Sequence, residues 1–479
     1  MALQTDILNE IKASWKLDAK SEDTERYFFH VSEVEAIQCG EKAYVIGRKG
    51  TGKTAIAQYL LGVKSHEIFA SILSFKNFPF NDLYALKNAG FTAPNQYITL
   101  WKYLIYCNVA RLMSKNQGIA SSIREPLEKL YKPEPIEYLQ RSVGKWTATD
   151  FNFSILGTGA GAKGQRINND SNWIERTQAL ESIIAEHIDD SKYLILFDEL
   201  DEDYRYMTEV SRYQNFSDLL TGLFKAIQDI KSVFRHTHAQ IFPVIFLRDD
   251  IYDTLEDPDK TKWDDAKIDL DWTVDRLKQL LAFRISRTRD PQASSSMHFG
   301  DAWSLIFGAI KISYGDRQNK NQSTFEYILK STQLRPRDVI RYLTEYAKVA
   351  LDTREKLSER TVKLADHAFS GYLKRELQDE IGGVVPHVAK LFDVLSILRK
   401  QTFSHAEFAK AYEQAVQKDF FERYDPAWVL KILFFFSVIG NQPRQLNQTV
   451  FRYRNHGAEL NFNESIVVHR GLLKSLQIL

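Results

Sequence analysis

The sequence predicts an α/β protein built on a parallel sheet, and three observations point to that class. Apolar runs of strand length occur at 42–47, 193–197 and 241–247, and residues 66–75 alternate as a further strand would. Long stretches with helical spacing separate these runs. Parallel strands need a crossover connection, usually a helix, so this alternation favours βαβ units. After Asp271 the pattern is helical almost to the C-terminal segment, which predicts helical additions to the core.

Length and composition indicate a globular chain in a reducing compartment. The 479 residues are 44% hydrophobic and 26% charged, with a net charge of +1. Cys39 and Cys107 are the only cysteines, which excludes a disulfide framework and a four-cysteine zinc site. Residues 1–20 have no apolar signal-peptide core, and the apolar run at 428–440 contains Lys431 and is too short to span a bilayer. We expect a cytoplasmic protein with no membrane segment and no global basic field for nucleic acid.

A phosphate-binding loop follows the first apolar run. Residues 47–54 read Gly-Arg-Lys-Gly-Thr-Gly-Lys-Thr, which satisfies G-x-x-x-x-G-K-[ST], and a helical pattern follows at 54–61. Glycines let backbone N–H groups wrap a phosphate chain, and the helix start adds its positive dipole end. We expect Lys53 to reach the β- and γ-phosphates and the Thr54 hydroxyl to bind Mg²⁺. The predicted nucleotide-binding residues are Gly47, Gly50, Thr51, Gly52, Lys53 and Thr54.

The apolar run at 193–197 ends in two carboxylates, Asp198 and Glu199. An acid at a strand tip can hold the Mg²⁺ shell, and a second acid can orient or deprotonate the attacking water. We assign the first role to Asp198 and the second to Glu199. Glu202 and Asp203 follow closely, so position alone favours Glu199. The alternative is an ordinary strand end with solvated acids.

The nucleotide is identified by exclusion as ATP. No guanine-reading Asn-Lys-x-Asp motif occurs, because Asn319 and Lys320 are followed by Asn321 and Gln322. The Ser-Gly-Gly-Gln signature of transporter-type ATPases is also absent from the sequence. These features predict a P-loop NTPase core with ATP and Mg²⁺ as its ligands.

Three sets of arginines could contact the γ-phosphate. Arg248 follows the run at 241–247, at the carboxyl end of a predicted strand, where ligands of parallel sheets bind. Its alternative is a structural ion pair with Asp249 or Asp253. In the second set, Arg335 or Arg337 at a helix start could couple nucleotide state to domain angle, and Arg337 is preferred. The third set, Arg284 and Arg287, could act as arginine fingers across a subunit interface, although surface charge is the favoured interpretation.

The order of these motifs resembles that in bacterial P-loop ATPases of the AAA+/STAND type, related to the KAP and origin-recognition ATPases. Further residues carrying the resemblance lie at 246–252 and between Trp272 and Arg284, and it covers about residues 25–479. It implies a switch ATPase that acts on a protein partner, a second copy or DNA, in DNA-related or anti-phage processes. Thr54 and Asp198 are much further apart than in a minimal AAA+ core, which implies an inserted helical subdomain. KAP-like membrane helices are absent from the sequence.

We expect four parts: a lead-in at 1–40, the ATPase core at 41–270 with a helical insertion near 76–190, a helical lid at 271–380 and a winged-helix-like domain at 381–479. A second glycine-rich stretch, 157–164, lacks the Gly-Lys-Thr/Ser ending and is interpreted as a flexible loop.

The C-terminal pattern predicts helices followed by a small hairpin. A capping box at 404–407 opens one helix, another is expected at 426–438, and strands are expected at 449–454 and near 466–468. The helix at 426–438 is apolar almost all round, so it suits burial better than DNA reading. On the hairpin, Arg452 and Arg454 would share one strand face with Arg444 nearby, which leaves DNA contact open beside protein contact.

Three functional interpretations remain open from the sequence. The first is an ATP-hydrolysing switch. The second is a non-hydrolysing, nucleotide-dependent scaffold in which Asp198 and Glu199 only hold Mg²⁺. The third is a DNA-directed motor or loader.

Overall fold

The computed structural model describes residues 2–76, 80–86, 91–131, 173–204, 210–314, 320–353, 356–418, 423–444 and 448–478. The glycine-rich stretch 157–164 lies outside these residues. Within them, no helix combines the length and the apolar character needed to cross a bilayer.

A five-stranded sheet with all strands parallel forms the core, in the order β2-β3-β4-β1-β5. All four predicted strands are confirmed, and β5 is an additional short edge strand. The bounds are β1 (Tyr44–Ile46), β2 (Ile68–Ser74), β3 (Lys192–Asp198), β4 (Gln240–Leu247) and β5 (Lys267–Asp269).

The remaining described strands form two small antiparallel sheets, β6 with β7, and β8-β10-β9. Their bounds are β6 (Lys311–Tyr314), β7 (Lys320–Ser323), β8 (Thr402–Phe403), β9 (Ile439–Gln442) and β10 (Ser465–Val468). The described helices are α1 (Ala2–Ser14), α2 (Thr24–Tyr27), α3 (Glu33–Gln38), α4 (Lys53–Gly62), α5 (Phe80–Ala85), α6 (Ile98–Met113), α7 (Ser121–Leu130), α8 (Trp173–His187), α9 (Val210–Phe234), α10 (Asp249–Thr254), α11 (Val274–Arg289), α12 (Phe299–Phe307), α13 (Thr324–Leu329), α14 (Pro336–Asp352), α15 (Glu359–Ile381), α16 (Val388–Leu398), α17 (His405–Val416) and α18 (Pro426–Phe435).

Helices cover both faces of the parallel sheet, which explains why its strands are continuous apolar runs. In β3, Ile195 and Phe197 point to the face covered by α6 and α9. Leu194 and Leu196 point to the opposite face, where α3 and α4 pack. Trp101 of α6 fixes the first layer, because its Nε1 donates to the Leu219 carbonyl of α9 at 2.8 Å. The predicted α/β fold class with a parallel sheet is therefore confirmed.

Helix α1, which lies in the lead-in expected at 1–40, packs into the core of the helical part. Ile7, Leu8 and Ile11 of α1 are buried among α11, α12 and α14 in one continuous core. Trp15, directly after α1, donates its Nε1 to the Thr288 hydroxyl of α11 at 3.0 Å. This helix belongs to the helical part that follows the sheet, because its apolar stripe has no other core to enter. Sequence spacing alone could not reveal that pairing.

The C-terminal part contains α16–α18 and the sheet β8-β10-β9, and it corrects two expectations. Residues 449–454 do not form a strand: Val450 alone bridges Asn441, and the chain then turns, with the Arg454 N–H donating to the Phe451 carbonyl at 3.1 Å. The alternation of apolar residues arises because Phe451 and Tyr453 pack together on β10. The preceding helix ends at Phe435 rather than at 438, since Ser437 has a φ of 56°.

Truncation of α1 side chains tests whether this helix belongs to the main core. Ile11→Ala should lower the free energy of unfolding by roughly 2–5 kcal/mol, because Ile11 is 0% exposed. The matched control is Leu3→Ala on the same helix, where the side chain is 47% exposed and the change should stay within about 0.5 kcal/mol. Chemical denaturation followed by tryptophan fluorescence measures both. Equal small effects would show that α1 contributes no core packing.

Candidate functional site

The phosphate loop connects β1 to α4 as the sequence predicts. Gly50 and Gly52 have φ values of 84° and 106°, in the left-handed region where a side chain is strained. Space is also restricted at Gly50, since a Cβ there would lie 3.0 Å from the Arg337 Cβ. The Trp272 Nε1 donates to the Thr51 carbonyl at 2.8 Å and holds the loop from the other side. The loop is therefore a rigid, specifically shaped turn.

Lys53 lies inside this turn. Its Nζ donates to the carbonyl oxygens of Gly47 at 2.6 Å and Arg48 at 3.0 Å. Burial lowers the pKa of Lys53, and the charges of Asp201 and Asp249 partly oppose that shift. Because the Lys53 ammonium lies against the loop carbonyls, it is within reach of an anion that enters the loop.

Asp198 lies at the tip of β3 next to Thr54. Burial, together with the charge of Glu199, raises the pKa of Asp198 to about 6, and a hydrogen bond with the Thr54 side chain opposes the shift. Its Oδ2 is buried and has no hydrogen-bond partner among the described residues. A buried carboxylate oxygen left unsatisfied beside a hydroxyl is a donor set that suits a hard divalent cation. Thr54 and Asp198 therefore fit Mg²⁺.

Glu199 follows at an unusual backbone position. Its φ of 61° places a non-glycine residue in the left-handed region, a strained conformation that is often found at functional sites. The Lys20 Nζ donates to its Oε2 at 2.6 Å, and the Ser74 hydroxyl donates to the same oxygen. Ser74 ends β2, the strand beside β3, whereas Lys20 comes from the segment between α1 and α2. Sequence patterns contain no signal for either contact.

Lys53, Thr54, Asp198 and Glu199 line one cleft of about 350 Å³. The phosphate loop and the two acids form its floor, and residues from the helical part and from the N-terminal segment form its walls. The wall residues include Leu17, Glu22, Phe28, Phe29, Trp272, Leu280, Arg284, Arg337 and Ile340.

The second arginine set divides between two environments. Arg337, in the first turn of α14, lines the cleft, and its guanidinium donates to Glu376 Oε1 at 2.7 Å. Its backbone N–H faces the Gly50 carbonyl at 3.4 Å. Arg335 is fully buried instead, where it pairs with Asp338 and Glu380 and donates to the Lys49 carbonyl at 3.2 Å. Of the two candidates, only Arg337 faces the cleft.

Arg248 lines the cleft and also forms an ion pair that sequence patterns did not indicate. Its Nε and Nη2 donate to both carboxylate oxygens of Asp250, at 2.9 and 2.6 Å. The expected structural partners were Asp249 or Asp253. The γ-phosphate role of Arg248 stays a prediction.

Arg284 is not surface charge, which corrects the favoured interpretation from sequence. It is 3% exposed and lines the cleft with the phosphate loop. Arg287, one turn along α11, is partly exposed and donates to the Pro291 carbonyl at 2.6 Å. The apolar and acidic partners that bury Arg284 come from residues 15–27, far away in the sequence.

The C-terminal arginines do not form one basic face. Arg452 pairs with Asp253 of α10 at 2.6 Å, and its guanidinium carbon lies 3.9 Å from the centre of the Phe435 ring. The Arg454 Nε donates to the Tyr453 hydroxyl at 3.1 Å. Arg444 is exposed in a turn. Since 449–454 is not a strand, the shared strand face expected for Arg452 and Arg454 does not exist.

Instead, the C-terminal part docks against the phosphate loop. The Arg48 guanidinium donates to the side chain and backbone oxygens of Gln333 and lies over the Tyr453 ring at 5.4 Å. Gln333 in turn donates to the carbonyls of Phe436 and Ser437 at 3.2 and 3.1 Å. Arg48, which occupies a variable position of the loop motif, is thus connected to the C-terminal part through the buried side-chain amide of Gln333.

The parallel sheet, the loop after β1 and the acid at the tip of β3 define a P-loop α/β protein with helical additions. The model of a FunZ-associated C-terminal helical domain matches residues 275–378, which span α11 to α15. A search of the curated proteins finds no significant match.

Solved structures similar to this chain include two archaeal proteins. One is the Orc1 protein of Aeropyrum pernix in complex with DNA, at 13% identity and a TM-score of 0.35, covering 93% of this chain and 90% of that one. The other is Cdc6p from Pyrobaculum aerophilum, at 13% identity and a TM-score of 0.32, covering 93% and 91%. A likeness at TM-scores this low assigns no function to the chain.

His456 of the C-terminal part lies between two acids, Asp271 and Asp249. Its Nε2 lies 3.1 Å from Asp271, and its Nδ1 lies 3.9 Å from Asp249. The hydrogen bond to Asp271 raises the pKa of His456, burial and the Arg48 charge oppose the shift, and Asp249 adds to it. Because the folded pKa exceeds the unfolded value, the stabilisation is complete below the unfolded pKa and disappears as pH rises through the folded one.

We therefore expect the melting temperature of His456→Gln to fall furthest below that of the parent near pH 5.5 and to approach it by about pH 8.5. Thermal melts of both proteins across this range measure the difference. His66→Gln, at an exposed position just before β2, is the matched control. A parent–variant difference that does not change with pH would contradict a charged His456 contact.

Proposed function

We propose that this chain is an ATP-binding and ATP-hydrolysing switch that acts on a macromolecular partner. The observation that carries the proposal is the buried Asp198 Oδ2 beside Thr54, in the same cleft as the phosphate loop, for which the described part of the chain offers no hydrogen-bond partner. A structural acid would be satisfied by neighbouring donors, because leaving a buried carboxylate oxygen unpaired is unfavourable. A site that binds a cation and a phosphate chain accounts both for the unsatisfied carboxylate oxygen and for its place in the same cleft as the phosphate loop.

The phosphate chain would be held by the loop backbone between Gly47 and Thr54 and by Lys53. Binding requires Lys53 to exchange the Gly47 and Arg48 carbonyls for phosphate oxygens, which its three ammonium donors permit. Thr54 and Asp198 would hold Mg²⁺, which neutralises charge on the β- and γ-phosphates when bound. ATP is favoured over GTP because the guanine-reading motif is absent from the sequence.

Glu199 is assigned as the base that orients or deprotonates the attacking water. Its carboxylate is held at the cleft edge by Ser74 and Lys20. The ion pair with Lys20 at 2.6 Å balances the charge of this carboxylate. Arg337 and Arg248 are assigned to the γ-phosphate side. For Arg337 the support is its place in the cleft wall, and for Arg248 it is its place after β4.

Coupling to a partner follows from what the loop touches. The start of α14 lies against Gly50, and Arg48 connects the loop to the C-terminal part through Gln333. A change in the loop would therefore shift the helical and C-terminal parts, which is how switch proteins transmit nucleotide state.

A protein partner or a second copy fits these contacts. DNA contact through Arg444, Arg452 and Arg454 stays a prediction, and two of these arginines already have intramolecular partners. A DNA-directed motor or loader, anti-phage defence, a STAND or KAP relationship, the four-part division and a cytoplasmic location also stay predictions.

The first test removes the loop lysine. Lys53→Ala should weaken Mg²⁺-ATP binding by about 100-fold or more, since a buried charge-assisted contact to phosphate is lost. Isothermal titration calorimetry measures the affinity. Lys64→Ala, just after α4 with an 88% exposed side chain, is the matched control and should bind like the parent. Unchanged binding in Lys53→Ala would exclude the loop as the nucleotide site.

The second test separates hydrolysis from binding. Glu199→Gln should bind ATP with affinity near the parent value and release phosphate roughly 100-fold more slowly or worse, because general-base help is lost. Steady-state phosphate release measures the rate, and Glu202→Gln is the control for a neighbouring acid. A parent-like rate in Glu199→Gln would refute the assignment. ATP binding without turnover in the parent would favour the non-hydrolysing scaffold.

A further inference from the structure

Arg284 of α11 is a buried cation in the wall of the cleft. Its side chain is 4% exposed, and its guanidinium carbon lies 4.8 Å from the centre of the Trp15 ring and 5.0 Å from that of Tyr27. Stacking on aromatic rings leaves the edges of a guanidinium available for anions. Its Nε has no hydrogen-bond partner among the described residues. This arginine therefore keeps unused donor capacity within the cleft.

One carboxylate satisfies most of the Arg284 guanidinium. Nη1 donates to Glu22 Oε2 at 3.0 Å, and Nη2 donates to the other oxygen of the same carboxylate. Nη1 also faces the Tyr27 carbonyl at 3.4 Å. Glu22 belongs to residues 16–23, the segment between α1 and α2 that itself lines the cleft through Lys16 and Leu17. The contact is bidentate, the geometry that arginine also uses for phosphate.

A phosphate chain in the cleft would compete with Glu22 for this guanidinium. Arg284, Lys53 and Thr54 line the same cleft, and Glu22 lines it as well. An entering polyanion is therefore repelled by the Glu22 carboxylate and attracted by Arg284. A phosphate oxygen can replace the carboxylate without leaving the buried guanidinium unpaired, which would be strongly unfavourable.

We propose that Arg284 is a further nucleotide-binding residue, which contacts a phosphate of the nucleotide in exchange for Glu22. The proposal rests on the proposed ATP-binding function and extends it to the helical wall of the cleft. Glu22 then acts as an internal competitor that lowers nucleotide affinity.

The alternative is that the Glu22–Arg284 pair only fastens the N-terminal segment to α11. The two possibilities predict different effects of one substitution on the affinity for Mg²⁺-ATP. With a competitor, Glu22→Gln should tighten Mg²⁺-ATP binding by about 3-fold or more, because a neutral amide competes less well than a carboxylate for the Arg284 guanidinium. With a fastening pair, the same change should leave affinity unaltered or weaken it.

Isothermal titration calorimetry with Mg²⁺-ATP on the full chain tests the exchange. Arg284→Gln should weaken binding about 10- to 100-fold, the range for a hydrogen bond to a charged group. The double variant Glu22→Gln/Arg284→Gln should match Arg284→Gln alone, because Glu22 has nothing left to block. The matched controls are Arg287→Gln on the same helix and Glu25→Gln, which changes a nearby side chain that is 85% exposed. Both variants should bind Mg²⁺-ATP with the affinity of the parent.

The outcomes separate this inference from the function on which it rests. If the parent binds no ATP, both are overturned. If the parent binds ATP, Lys53→Ala does not, and Glu22→Gln binds no more tightly than the parent, the exchange is overturned while the nucleotide site stands. If Arg284→Gln fails to fold by circular dichroism, Glu22→Gln alone decides through the sign of its effect.

Discussion

The buried guanidinium of Arg335 fixes the geometry on which the rest of the cleft depends. It is 0% exposed, and its positive charge is balanced by Asp338 on its own helix and Glu380 at the end of α15. The remaining contact goes to the Lys49 carbonyl in the phosphate loop. A charge in this position cannot lose its partners without a large penalty. Arg335 therefore holds the start of α14, which carries Arg337, against the phosphate loop.

As a result, the phosphate loop contacts three parts of the molecule at once: the start of α14, the segment before α11 and the C-terminal part. Gly50 is confined by Arg337 on one side, the Thr51 carbonyl accepts a hydrogen bond from Trp272 on another, and Arg48 extends to Gln333 and the C-terminal part. Each contact uses a backbone group or a buried polar side chain with few alternative partners. Local change at the loop must then be accommodated by rearrangement elsewhere, because close-packed interfaces do not deform continuously.

The strands and the phosphate loop could be predicted because their signals are local. A parallel strand buried on both faces is a continuous apolar run, and the loop motif fixes residue types at set spacing. The choice between Arg335 and Arg337 could not be made in that way. Both arginines precede the apolar stripe of α14, and only the contacts with Asp338 and Glu380 decide that Arg335 is the buried one.

The remaining errors arise from tertiary partners. The alternation at 449–454 looked like a strand, yet Phe451 and Tyr453 pack on β10 from a turn. Helix α1 carries an ordinary amphipathic stripe, and nothing in that stripe says which core it enters. Lys20 and Glu22 are ordinary charges in a short connecting segment. Their significance comes only from Glu199 and Arg284, which lie more than a hundred residues away in the chain.

The segment between α1 and α2 also affects how fast an anion arrives. Lys20 pairs with Glu199, and Glu22 pairs with Arg284, so the cleft wall contributes two compensated charge pairs rather than a cationic funnel. Paired charges produce short-range fields that decay within a Debye length in physiological salt. With a chain of net charge +1, little long-range attraction remains. Capture of the proposed nucleotide would thus be governed by diffusion and local rearrangement, with electrostatic guidance acting only after the ligand has reached the cleft.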